Sequence, residues 1–173
     1  QAVSVNFARI AQTRPGYGYA GPADPWADDP QPAGDGVFWM DVETGRHQLI
    51  VSLAQVVATG HTASMDGRKH WFNHLQFNPS GTRFLFLHRW VDTDGRRQTR
   101  MFTACPDGSG LTCLADQGMV SHFDWRDDTH ILAWARHRPV GDRFFVFTDP
   151  TGEVEVLADG VLSEDGHCSY SPD

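Results

Sequence analysis

The sequence is poor in cysteine, in lysine and in long apolar runs, and each shortage closes off a class of protein. Cys105, Cys113 and Cys168 are its only cysteines. An odd number with no Cys-x-x-Cys spacing excludes a disulfide framework and a four-cysteine zinc site, and leaves open a single Cys105–Cys113 bridge across a hairpin. Lysine occurs once, as Lys69, and the formal net charge is −8. Without a run of Lys or Arg there is no basic face for phosphates, so nucleic acid is not an expected partner. No stretch of about 18 apolar residues occurs, and no membrane-spanning helix is expected. Gly-x-Ser-x-Gly, phosphate-loop and dinucleotide fingerprints are all missing. Asp28-Asp29 and Asp127-Asp128 read as turn residues rather than as a glycosidase pair. The first residues show neither an initiator Met nor a signal peptide, and they leave the compartment, cytoplasmic or periplasmic, open.

What the chain does have is aromatic and β-prone. Its 173 residues are 40% hydrophobic and 12% aromatic, enough for one domain with a core. Residues 3–10 alternate as a strand would. Residues 13–35 hold five prolines and four glycines. They read as a long irregular segment, ordered because Tyr17, Tyr19 and Trp26 need something to pack on. Hairpins follow at Val42-Glu43-Thr44-Gly45, Asn78-Pro79-Ser80-Gly81, Pro106-Asp107-Gly108 and Asp149-Pro150-Thr151-Gly152, where turn residues separate apolar runs. A short helical turn is expected at 53–57.

The hairpins repeat. Phe77-Asn78-Pro79 aligns with Asp124-Trp125-Arg126 and with Tyr170-Ser171-Pro172, and Pro106-Asp107-Gly108 with Pro150-Thr151-Gly152, at spacings in the middle forties. Four strands per such period is the pattern of β-propeller blades. The expected fold is therefore all-β, a propeller of four-stranded antiparallel blades. The expected divisions are blades at about 36–69 with 3–10, at 70–117 and at 118–162, with the next starting at 163–173. About three blades cannot close a ring of about 4–8, so the chain reads as part of a longer propeller, with open strand edges that favour self-association.

His74, His122 and His167 fall at one equivalent place, two or three residues before the aligned Phe77, Asp124 and Tyr170. In a propeller that place reaches the central channel. The same residues also suit hydrogen bonds between blades, and both roles stay open. His70 and His74 stand four apart, but without a helix or an intervening Glu they do not make a zinc-protease motif; His70 reads as a loop residue. His88-Arg89 ends a strand, and Arg89 faces either the channel or the surface. His47, His61, His130 and His137 belong to turns or strand exteriors.

Leu75-Gln76-Phe77-Asn78-Pro79-Ser80-Gly81, Tyr170-Ser171-Pro172-Asp173 and the Asp-Pro-Thr-Gly hairpin resemble TolB-type propeller repeats. In order and spacing, Trp71-Phe72-Asn73-His74-Leu75-Gln76-Phe77, Ser121-His122-Phe123-Asp124-Trp125 and Gly166-His167-Cys168-Ser169 resemble the seven-bladed oligogalacturonate lyases, over about residues 36–173. The resemblance implies that His122 is the base and that His167 helps hold a divalent metal, usually manganese, whose other ligands come from a later blade. Two positions depart from the pattern: Leu75 stands where the lyases have Pro, and Asp124 where they have an aromatic. It further implies β-elimination on an acidic oligosaccharide, with His74 and Arg89 holding the sugar acid. A neutral imidazole suits proton abstraction beside a carboxylate, and a cation suits the enediolate that forms. The competing expectation is a non-catalytic TolB- or WD40-like propeller that binds a protein or glycan through the same repeats.

Overall fold

The computed structural model describes residues 1–171. Its strands are β1 (Ala2–Val5), β2 (Gly36–Met40), β3 (His47–Ser52), β4 (Trp71–Phe77), β5 (Phe84–Val91), β6 (Arg97–Ala104), β7 (Thr112–Gly118), β8 (Val120–Trp125), β9 (His130–His137), β10 (Gly141–Thr148) and β11 (Glu153–Val156). Two short helices, α1 (Phe7–Thr13) and α2 (Leu53–Ala58), interrupt the early strands. The sheets run β1-β2-β3, β4-β5-β6-β7 and β11-β10-β9-β8. Each order follows the chain, as hairpin-linked strands require. The protein is therefore all-β, built from antiparallel meanders of three or four strands, and no sheet among the described residues closes on itself.

The chain divides into two compact units: residues 1–75, 88–98 and 106–108 form the first, and residues 76–87, 99–105 and 109–173 the second. In the first, β1 pairs with β2 from Ala2 opposite Met40 to Val5 opposite Val37. Residues 3–10 are not one strand. Asn6 ends β1 and caps α1, its side-chain oxygen accepting from the Ala8 and Arg9 amides at 3.1 Å. An Asn so placed satisfies the helix's first donors and outcompetes continued strand. Pro15, just past the last turn, stops the helix.

The irregular segment 13–35 is held by one buried cation. Arg9 is 1% exposed. It donates to the carbonyls of His70, Trp26, Asp29 and Pro30 and pairs with the buried Asp24 at 3.4 Å. A charge taken out of water must be surrounded in this way, and here the surrounding groups are the loop's own backbone. Tyr19 stacks on Phe7 at 4.8 Å, although its other face is exposed. Gly18 lets the loop return onto α1: a Cβ there would stand 2.2 Å from the Phe7 carbonyl oxygen. In α2, capped by Ser52, the residues Leu53, Val56 and Val57 are buried, and Val57 joins Met65 and Trp90 in a small cluster.

The second unit has an apolar core with Leu85, Leu87, Met101, Trp125, Ile131, Ala133, Phe145 and Phe147 among its members. Its polar contacts join turns and strand ends that are far apart in sequence. Arg83 pairs with Asp149, which also accepts from Thr103 Oγ1 at 2.5 Å. The Asn78 turn binds residue 128, through Asn78 Nδ2 to the Asp128 carbonyl at 3.1 Å and through the Ser80 amide to its carboxylate at 2.8 Å. All three cysteines are free, so no Cys105–Cys113 bridge forms. Burial pushes the Cys113 thiol up to about 11.

Candidate functional site

In the second unit, β8 carries His122 and the segment after β11 carries Asp165 and His167. The His122 and His167 rings lie 4.0 Å apart, centre to centre, and His122 Nδ1 donates to Asp165 Oδ1 at 2.9 Å. A carboxylate can only accept, so this contact fixes the proton on Nδ1 and leaves the Nε2 lone pair to take a proton or meet a ligand. Both partners are partly solvent-accessible, with side-chain exposures of 34% for His122 and 40% for Asp165. Two residues on from His122, Asp124 accepts from Gln76 Nε2 at 2.8 Å and from the Tyr170 amide at 3.4 Å. Asp124 thus ties β8 to Gln76 and to the segment after β11.

For a metal, this pair is a partial donor set. Among the described residues no group of three or more His, Cys, Asp or Glu side chains gathers for an ion. His167 offers one nitrogen, while the Nδ1 of His122 is already engaged by Asp165. Among the described residues, these side chains do not complete a metal centre.

In the first unit, the start of β4 and the end of β5 hold a different set of groups. His70, expected in a loop, is 0% exposed immediately before β4, as is His88 in β5. His70 Nε2 lies 3.2 Å from the Met65 carbonyl and Nδ1 lies 2.9 Å from His88 Nε2. The carbonyl requires a donor, so His70 Nδ1 is the acceptor and His88 the donor. Phe72 meets His88 edge-on and Trp90 stacks on it, so His70, Phe72, His88 and Trp90 share one face. Strand alternation then gives Trp71, Asn73 and Arg89 the other.

That other face is polar and unsatisfied. Trp71 Nε1, both amide atoms of Asn73, and Nε and Nη1 of Arg89 are buried without a hydrogen-bond partner in the protein. Arg89 is 4% exposed, which settles it as interior rather than surface. Burial first, then the charges of Arg97 and Arg14, pull its guanidinium down to about 9. Arg14, Arg89 and Arg97 form no ion pair with any described carboxylate. A guanidinium resists losing its proton, so the force acting on Arg89 favours a bound anion instead.

His74 has a φ of +53°, in the left-handed region that a non-glycine strand residue rarely enters. Arg14 Nη1 stands 3.4 Å from His74 Nε2, and its guanidinium lies 3.6 Å over the Tyr17 ring. Arginine has no acceptor, so His74 is held with Nε2 unprotonated. A cavity of about 280 Å³ opens here, lined by Tyr17, Asn73 and His74 among apolar side chains of β1 and α1.

The four residues singled out in the sequence therefore fall into two settings: His122 with His167, and His74 and Arg89 each within the first unit. Sequence patterning missed Asp165, Asn73, Arg14 and Arg97. Arg14 was obscured because residues 3–10 read as strand, which hid the helix that ends at it. Asp165 lies in a stretch with no periodicity. No family model matches this chain, nor does any curated protein.

Proposed function

We propose that the meanders are consecutive blades of a β-propeller, and that the protein is a polysaccharide lyase-like enzyme acting by β-elimination on uronate-containing oligosaccharides. The chain-ordered four-stranded sheets and the seams between equivalent turns support the first part. The observation that carries the second is His122, whose Nδ1–H is held by Asp165 so that Nε2 is the basic nitrogen.

In this reading Nε2 removes the proton on the carbon next to the uronate carboxylate. The electron pair passes into the carboxylate as an enediolate and returns to form the C=C bond as the glycosidic oxygen leaves. Within the first unit, His74 and Arg89 are the residues suited by their own surroundings to bind a sugar acid. A cation favours binding of a carboxylate, and Arg89 pairs with none of the described carboxylates. His167 is the residue that a divalent ion, of the manganese type, would use, with its remaining ligands drawn from beyond the described residues.

The second reading is a binding propeller without catalysis, favoured by Asp124, which spends its carboxylate on Gln76 and Tyr170. Incubating the whole protein with oligogalacturonate and following the absorbance of the unsaturated product separates the two. The elimination reading expects product, reduced at least a hundredfold by His122→Ala with the fold intact by circular dichroism. No product from the parent protein, with binding of the oligosaccharide retained, would favour the binding module.

A further inference from the structure

We infer that Arg14, Asn73 and Tyr17 complete a carboxylate-binding pocket for a single sugar-acid ring in the first unit, with His74 on its wall. The pocket extends the sugar-acid contact proposed above for His74 and Arg89. It rests on that part of the reading and not on elimination.

Three independent observations converge. The cavity of about 280 Å³ is near the low end of small-molecule sites, the size for one ring rather than a long chain. Its lining is apolar at Val3, Val5, Phe7, Ile10 and Leu75 and polar at few points, the usual make-up of a site that orients its ligand. Asn73, on that lining, is 5% exposed with both its amide oxygen and nitrogen unpartnered. A buried amide left so is destabilising, and a ligand offering a hydroxyl and a carboxylate oxygen would satisfy both atoms.

Charge follows from the sequence order. Arg14 ends α1, and the Gly16-Tyr17-Gly18 turn folds the tyrosine ring under its guanidinium while Gly18 packs against the helix. The stacked, planar guanidinium is thereby fixed beside His74 with its remaining N–H groups available for a bidentate carboxylate contact. Arg89 and Arg97 add unneutralised positive charge, so the anionic form of the ligand is favoured over a neutral sugar. Tyr17 supplies an aromatic edge for the ring's apolar face.

The test is binding of galacturonate, with galactose as the neutral control, to the full chain by titration calorimetry at low and at raised salt. Galacturonate should bind at least tenfold more tightly than galactose and lose affinity as salt rises. Arg14→Gln should weaken galacturonate at least tenfold and Arg14→Lys less, both with an unchanged melting temperature in the absence of ligand. Asn73→Asp, which places a carboxylate in the pocket, should abolish the preference. Equal binding of the two sugars, or an Arg14→Gln variant that binds galacturonate like the parent, would overturn the pocket. The two proposals fail separately. Galacturonate binding without unsaturated product leaves the pocket standing and removes elimination; product from a protein that binds galacturonate no better than galactose does the reverse.

Discussion

Single residues here are decided by whether their polar atoms find partners. Arg9 is buried and fully surrounded, and it organises a loop; Arg89 is buried and unsurrounded, and it calls for an anion. The same side chain thus has opposite meanings set by its neighbours. Cysteine gives a simple test of burial. With the Cys113 thiol at about 11 rather than 9, its thiolate fraction at pH 8 falls about a hundredfold. Cys168, pushed up to about 11 by burial and the nearby Asp124, shares this protection. Iodoacetamide labelling at pH 8 followed by mass spectrometry should therefore show both thiols alkylated far more slowly in the folded than in the urea-unfolded chain. Comparable rates would mean that neither site is closed to solvent.

At the scale of elements, the informative one is α1. Its presence was hidden in the sequence because Val3, Val5, Phe7 and Arg9 alternate as a strand does, whereas the capping side chain of Asn6 turns the chain after Val5. That same Asn6 donates from Nδ2 to Asp24 at 2.9 Å and to Asp35 at 3.0 Å. Asn6→Ala therefore removes a helix cap and two buried carboxylate contacts together. A cap alone is worth about 0.5–2 kcal/mol, and the added loss should bring the cost to at least about 2 kcal/mol in urea unfolding. A loss under about 0.5 kcal/mol would show that α1 is not held through this residue. The hairpins were the legible part: turns at 42–45, 78–81 and 149–152 are where Gly, Pro, Asn and Asp fall between apolar runs, because turn chemistry is local.

For the whole molecule, the open sheet edges matter most. β11 is an edge strand of its sheet, and it alternates exposed Glu153 and Glu155 with half-buried Val154 and Val156. Charges on an edge discourage pairing with another chain. Replacing both glutamates by valine should raise the light-scattering mass with concentration at neutral pH, and the parent should stay at its starting mass over the same range. An unchanged mass in the double variant would mean that this edge is guarded by something other than charge. The formal charge of −8 acts in the same direction, while the arginines of the first unit form a local exception that a net value conceals.

By itself, the sequence determined the strand-rich class, the hairpin positions, the repeat of the middle forties and the histidines worth following. All of these rest on local turn chemistry and on alternation along the chain. Only the tertiary structure decided which polar groups are buried and who answers them. It put His70 in the interior against His88, engaged His122 through Asp165, and left Arg89 and Asn73 unanswered. The reason is physical: partner, burial and charge depend on residues far apart in the chain, brought to within hydrogen-bond distance by folding, and no periodicity encodes them.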